Sequence, residues 1–269
     1  MAKGCDLPQE LIEAIVACLH NDPKALAACS LVAHSWLPSC RFHQFRKVSV
    51  HCDRFGVFTQ MITANPHIAS RVQELTLVSP SKTARTQTLV DILANLPSLH
   101  TVKLWGFRVE SVADSAARYV NIPSLRLLEV SSCDATHGSD FLRLLAIFSR
   151  TRVARLRLHE DDVAGVGDED AINDCPIPNF CTPWRVQDVS ITNGSRGYLL
   201  KFLGRVVDPE ALHGVDVGEL SRPHVEVAFP RFIARTGPAL RHMRWDVTSL
   251  YVSPIQGESP VSCIATWSI

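Results

Sequence analysis

Apolar residues recur along most of the chain in a fixed triplet. Two variable residues separate the first and second apolar positions, and one variable residue separates the second and third. Successive triplets start 26 to 28 residues apart, with one interval of 33 residues between Val153 and Val186. A fixed period of this length indicates a repeat protein with one strand per unit. The eight predicted strands are Phe45/Val48/Val50, Val72/Leu75/Leu77, Leu99/Val102/Leu104, Leu125/Leu128/Val130, Val153/Leu156/Leu158, Val186/Val189/Ile191, Leu212/Val215/Val217 and Leu240/Met243/Trp245.

The segments between these strands have helical patterns, among them "FGVFTQMITAN", "TLVDILANL" and "SRGYLLKFLGRVV". A proline precedes several strands, as in "NLPSL" and "NIPSL", where it ends one element and favours an extended segment. Alternating strands and helices predict a parallel sheet with right-handed crossovers. We therefore expect an α/β fold over residues 46–269, a curved solenoid with the parallel sheet on its concave face. Residues 160–183, acidic and then rich in proline, are predicted to be an excursion from it.

The first 36 residues follow a different pattern. Leu11, Ile12, Ile15, Val16 and Leu19 repeat at the spacing of a helix. Residues 21–23 interrupt this pattern, and a second helix is predicted from Ala25 to Trp36, ended by Pro38. Two helices of about three turns are too short to enclose a core alone. Their apolar faces therefore need another surface to cover them.

The pattern "LP.EL...I...L..D...L..CSLV..SW" in residues 7–36 resembles an F-box. The resemblance covers residues 5–45 and implies a helical module that docks on the adaptor subunit of SCF-type cullin-RING ubiquitin ligases. The repeats that follow resemble the divergent leucine-rich repeats found behind F-boxes. Together they imply a substrate-recognition subunit that reaches a cullin through the adaptor and carries no catalytic chemistry. The implied adaptor-binding residues are Leu7, Pro8, Leu11, Ile15, Leu19, Val32 and Trp36.

The variable position inside each triplet faces away from the core, because side chains alternate along a strand. These positions predict a central column on the concave face with mixed charge, which suits a protein-binding surface or an ordinary solvated face equally well. Trp105 favours binding, since exposed aromatic residues anchor interfaces. Arg155, Arg157 and His159 could accept an acidic or phosphorylated segment, although Glu129 and Asp188 stand beside them. The candidate target-binding residues are Lys103, Trp105, Glu129, Arg155, Arg157, His159 and Arg244.

Composition narrows the expected partners. Lys plus Arg and Asp plus Glu each number 27, so the formal net charge is zero, and neither nucleic acid nor an acidic membrane is an expected partner. No apolar stretch approaches the length of a membrane span. Nine irregularly spaced cysteines indicate a reducing compartment without a disulfide framework, so we expect a cytoplasmic or nuclear protein.

Motifs for catalysis or metal binding are weak. Cys40, His43, His51 and Cys52 lack a regular zinc spacing. "NGSRG" has its glycines and serine in the wrong order for a nucleophile elbow, and "DDVAGVGDED" lacks the ligand alternation of a calcium loop. We therefore expect no cofactor, no metal and no enzymatic activity.

Two alternatives stay open. The chain could be a ligase-independent scaffold whose helices only cap the repeats, or an enzyme whose site assembles from distant residues such as His159, Asp188 and His242. The apolar ending "SPVSCIATWSI" predicts either a bare sheet edge or a truncated chain.

Overall fold

The eight repeat strands form one parallel sheet in chain order. The computed structural model describes residues 7–79, 83–84, 86–109, 119–131, 144–159, 183–192, 197–218, 222–246 and 264–268. Its strands are β1 Lys47–His51, β2 Glu74–Val78, β3 Thr83–Ala84, β4 Thr101–Trp105, β5 Arg108–Val109, β6 Ser124–Ser131, β7 Arg152–His159, β8 Val186–Thr192, β9 Gly214–Val217, β10 His242–Asp246 and β11 Ile264–Ser268. The large sheet has the order β1-β2-β4-β6-β7-β8-β9-β10-β11, and β3 pairs separately with β5.

The register of the sheet follows the apolar triplets. The middle apolar residues of all eight triplets are partners across the sheet, in the order Val48, Leu75, Val102, Leu128, Leu156, Val189, Val215 and Met243. Because each unit places the same position opposite the next, the buried faces of neighbouring strands coincide. The prediction of eight parallel strands is confirmed.

Helices connect many of the strands and contribute to the same core. The α-helices of the described residues are α1 Gln9–Cys18, α2 Pro23–Ser30, α3 Leu37–Arg46, α4 Phe55–Ala64, α5 Pro66–Ala69, α6 Thr86–Ala94, α7 Gly197–Val206 and α8 Arg222–Thr236. Phe58 of α4, Ile92 of α6 and Leu203 of α7 are buried in one cluster with the strand residues. The predicted acidic excursion at 160–183 lies outside the described residues except for Pro183.

Only one face of the sheet is apolar. In β2 the residues Leu75 and Leu77 are fully buried, whereas Glu74, Thr76 and Val78 are half-exposed. Parallel sheets are usually covered on both faces and then carry nearly continuous apolar strands. The alternation seen here therefore marks a sheet with helices on one face and a second, polar face open to solvent, which we call the open face.

The prediction of a curved sheet is wrong. The sheet is not curled. Uniform curvature needs a similar wedge behind every strand, whereas the described connections contain helices as different as α5, with four residues, and α8, with fifteen. Part of the final apolar stretch forms β11, which pairs with β10 in antiparallel fashion and is the last strand at this edge of the sheet.

The N-terminal helices have a small core of their own, separate from that of the sheet. Ile12, Val16, Leu26 and Cys40 are buried together. The Asp22 carboxylate caps α2 by accepting hydrogen bonds from the backbone N–H groups of its first turn, each at 3.0 Å. We call residues 7–46, which contain α1, α2 and α3, the N-terminal unit.

The N-terminal unit contains one helix more than predicted. Pro38 does not end the second helix; α2 has already ended at Ser30, and Pro38 lies in the first turn of α3. Proline is well tolerated there because the first N–H groups of a helix have no partner within the helix. Phe45, predicted to begin the first strand, lies near the end of α3, and β1 begins at Lys47.

Candidate functional site

The first candidate surface is an apolar stripe on α1. Leu11 is 51% exposed and Ile15 is 41% exposed, and Leu7, which is also exposed, lies just before the helix. Residues four apart lie on the same side of a helix, so Leu11 and Ile15 form one row, with which we group the exposed Leu7 that precedes the helix. We call this row the α1 stripe. Ile12 and Val16 point to the opposite side and fill the small core, so the apolar face predicted for α1 divides into an inward half and an outward half.

A second group of exposed apolar residues follows α2. Val32 is exposed, and Leu31 is exposed to 87%, the most of any large hydrophobic residue among those described. Leu31 belongs to the "CSLV" motif, but it was not among the expected contact residues. The helical spacing could not predict the direction of the Leu31 side chain, because α2 ends one residue before it, at Ser30.

The remaining expected adaptor contacts divide between surface and core. Pro8 is exposed just before α1. Leu19 and Trp36 are half-buried and pack against the small core. Their larger part therefore stabilises the N-terminal unit, and only a part of each side chain is available to a partner.

The second candidate surface is the open face of the sheet. The inner variable positions form one row across the eight strands, in the order Ser49, Thr76, Lys103, Glu129, Arg157, Ser190, Asp216 and Arg244. The predicted column is therefore present with its predicted register.

Charges pair across the middle of this face. The Glu129 carboxylate lies 3.4 Å from Lys103 Nζ and 3.9 Å from Arg157 Nη1. Glu129 is well shielded, while both cations remain partly exposed. Trp105, at the end of β4, is 55% exposed on the same face. An indole that is open to solvent on a sheet face can serve as an apolar anchor for a partner.

Between β7 and β10 the open face forms a depression of about 390 Å³. Its lining includes Arg155 and Arg157 on one side and Arg244 on the other. Ser190 and Gly214 are small residues on the strands between, which leaves room for a ligand group.

A carboxylate and an imidazole meet in this depression. Asp188 Oδ1 and His242 Nε2 are 3.5 Å apart, with Gly214 on the strand between them. A side chain at position 214 would overlap both groups. His159 does not join them. It pairs with Thr192, and it lies four residues beyond Arg155, about 13 Å along the strand.

The geometry bears directly on the enzyme alternative. An imidazole beside a carboxylate can act as a general base when a reacting hydroxyl or thiol is within hydrogen-bond reach. Of the three residues of the enzyme alternative, Asp188 and His242 form such an imidazole–carboxylate pair on an open surface, whereas His159 does not join them.

Two titratable groups of the N-terminal unit are perturbed. Burial, followed by the proximity of Cys29, raises the pKa of the Cys40 thiol. Burial, followed by the charges of Arg46 and His20, lowers the pKa of His43. Cys18, Cys29, Cys40 and Cys52 are free thiols. In the part of the chain that the structure describes, no three or more metal-ligating side chains converge on one point.

In comparisons with known proteins, no protein-family model and no curated protein matches the chain. None of the described helices has both the length and the apolar character needed to cross a membrane.

Proposed function

We propose that the chain is the substrate-recognition subunit of an SCF-type ubiquitin ligase. In this proposal the N-terminal unit binds the adaptor, which connects it to a cullin. The open face of the sheet binds the protein to be modified. Ubiquitin transfer takes place on other subunits, so this chain supplies recognition only.

The observation that carries the proposal is the α1 stripe. Leu7, Leu11 and Ile15 point away from the small core although each is a large hydrophobic residue. Scattered exposed leucines are common, but an ordered apolar row on a helix is typical of a surface that a partner covers. The motif in residues 7–36 independently suggests the adaptor as that partner.

The separate core of the N-terminal unit also supports the proposal that this unit binds the adaptor while the sheet binds the target. Leu26 and Cys40 are buried within the unit and do not join the large cluster under the sheet. Helices that served only to cap the repeats would be expected to bury their apolar residues against the sheet core. This favours a docking module over the ligase-independent scaffold, which predicts the same open face but no adaptor.

The mixed charges of the open face suit a protein target. Lys103, Glu129 and Arg157 form a connected group, and Trp105 adds an exposed aromatic side chain. Charged groups around an aromatic anchor provide specificity more than affinity. The target site is therefore proposed to include Lys103, Trp105, Glu129, Arg155, Arg157, His159 and Arg244.

Co-purification from cells tests the proposal. The full chain should recover both the adaptor and a cullin, whereas Leu7→Ala combined with Pro8→Ala should recover neither at wild-type levels. Val57→Ala, which shortens an exposed apolar side chain on α4, is the matched control and should leave recovery unchanged. Equal recovery by the double variant would reject the adaptor assignment, and absence of a cullin from all samples would favour the scaffold.

A further inference from the structure

A small cleft lies where the N-terminal unit meets the first repeat. Its volume is about 180 Å³. The N-terminal unit contributes His34 and Arg41 to its lining, and the segment between α4 and β2 contributes His67 and Arg71. The cleft is separate from the α1 stripe and from the depression on the open face, and the proposed function makes no use of it.

Apolar side chains also line the cleft. Leu37, Phe45 and Ile68 are each half-buried, so part of each side chain remains accessible to a ligand. Arg71 Nη1 donates a hydrogen bond of 3.0 Å to the carbonyl oxygen of Pro38. This bond joins the two sides of the cleft, so its width is set by the fold.

Every charged or titratable residue that lines the cleft is basic. No carboxylate is among the lining residues, and none of the described carboxylates forms an ion pair with Arg41 or Arg71. Positive groups gathered around a concave surface reinforce one another's potential. The formal charge of the chain is zero, so this local excess of positive charge is a property of the cleft itself.

We propose that this cleft binds an acidic peptide segment of a partner protein. An aliphatic side chain of the segment lies on Leu37, Phe45 and Ile68, and neighbouring carboxylates pair with Arg41 and Arg71. Charge complementarity selects the acidic character of the segment, and the exposed apolar lining selects an aliphatic residue within it. The volume of about 180 Å³ suits one aliphatic side chain, so a single aliphatic residue of the segment enters the cleft.

Fluorescence anisotropy with the full chain tests this proposal. The probe is a labelled peptide with the sequence Glu-Asp-Leu-Glu-Asp, and its matched control is Gln-Asn-Leu-Gln-Asn. We expect the acidic peptide to bind at least about tenfold more tightly than the amide peptide, since charge-assisted contacts to arginine are the stronger ones. Replacing the central leucine of the probe by serine should also weaken binding, because the apolar lining then loses its partner.

Variants of the chain test whether the peptide binds in the cleft. Arg41→Glu should weaken binding of the acidic probe at least about tenfold, because it reverses a charge that faces the cleft. Lys24→Glu makes the same change at an exposed position of α2 outside the cleft and should alter binding less than about twofold. Circular dichroism should show both variants folded. Adaptor recovery should be unchanged by Arg41→Glu, so this proposal and the proposed function can fail independently.

Several results would overturn the proposal. These are equal affinity for the acidic and amide peptides, equal losses in Arg41→Glu and Lys24→Glu, or no loss on replacing leucine by serine. Competition by inorganic phosphate alone at the affinity of the peptide would show a site for small anions instead. Arg41-dependent binding of phosphatidylserine vesicles without peptide binding would show a lipid site instead.

Discussion

The His242 imidazole and the Asp188 carboxylate lie 3.5 Å apart across a strand that lies between them. Their strands, β10 and β8, are both neighbours of β9, and the contact passes over Gly214. Strands in a sheet are about 4.8 Å apart, so side chains as short as these, two strands apart, need open space over the strand between them. Gly214 provides that space.

The first prediction concerns this glycine. Gly214→Ala should push His242 and Asp188 apart, since the added methyl group would overlap both. Both side chains are partly exposed and can move, so the free energy of unfolding should change by less than about 1 kcal/mol. A crystal structure of the variant would measure the separation of Nε2 and Oδ1. A separation still near 3.5 Å would contradict this explanation of the glycine.

The second prediction concerns the small core of the N-terminal unit. Leu26→Ala should destabilise this unit by about 2–5 kcal/mol, because Leu26 is almost completely buried. The sheet should stay folded, since its core is separate. Limited proteolysis should then cut residues 7–46 early and leave a protected fragment. Leu31→Ala, at an exposed position, is the control and should be cleaved like the wild type. If the Leu26→Ala chain were instead degraded as a whole, without a protected fragment, the two cores would be coupled.

The third prediction is a pH dependence. His43 has a lowered pKa and a buried Nδ1 without a hydrogen-bond partner in the described structure. Its neutral form is therefore favoured in the folded state. The contribution of this pKa shift to the free energy of unfolding is fully present above the unfolded pKa of about 6.5. It is lost as the pH falls through the lower folded pKa.

Urea unfolding between pH 7 and pH 5 measures this effect. The free energy of unfolding of the wild type should fall more steeply over this range than that of His43→Leu, which cannot bind the proton. His67→Leu, at an exposed position, is the control and should follow the wild type. Parallel curves for the wild type and His43→Leu would show that His43 does not titrate in this way.

The fourth prediction concerns Trp105. Because the indole is 55% exposed, Trp105→Ala should change the free energy of unfolding by no more than about 0.5 kcal/mol. Proximity labelling in cells should nevertheless lose proteins that depend on the open face. Val57→Ala, on the helical side of the molecule, should keep them. Identical sets of labelled proteins for the wild type and Trp105→Ala would remove Trp105 from the target site.

The sequence pattern predicted the repeat strands well because each one carries the same apolar triplet. Val48 and Leu75 occupy the same place in consecutive triplets, and the structure pairs them directly. A parallel sheet with one covered face requires this correspondence, so the row from Ser49 to Arg244 follows from it. Local spacing was sufficient for these features.

Other features depend on information that local spacing does not contain. Pro38 is compatible with the end of one helix or the first turn of the next, and only the packing of Cys40 into the small core distinguishes them. The contact of Asp188 with His242 depends on two residues separated by more than 50 positions and on the glycine between their strands. The outward direction of Leu11 and Ile15 depends on which half of an apolar helix the small core occupies.

Isothermal titration of the purified adaptor into the purified full chain tests the central claim most directly. The account predicts saturable one-to-one binding of the wild type. It also predicts that Leu11→Ser combined with Ile15→Ser weakens binding by about 2 kcal/mol or more, roughly thirtyfold, while Val57→Ser binds like the wild type. Wild-type affinity in the folded double variant, or no heat of binding for the wild type, would contradict the claim that the α1 stripe is an adaptor-binding surface.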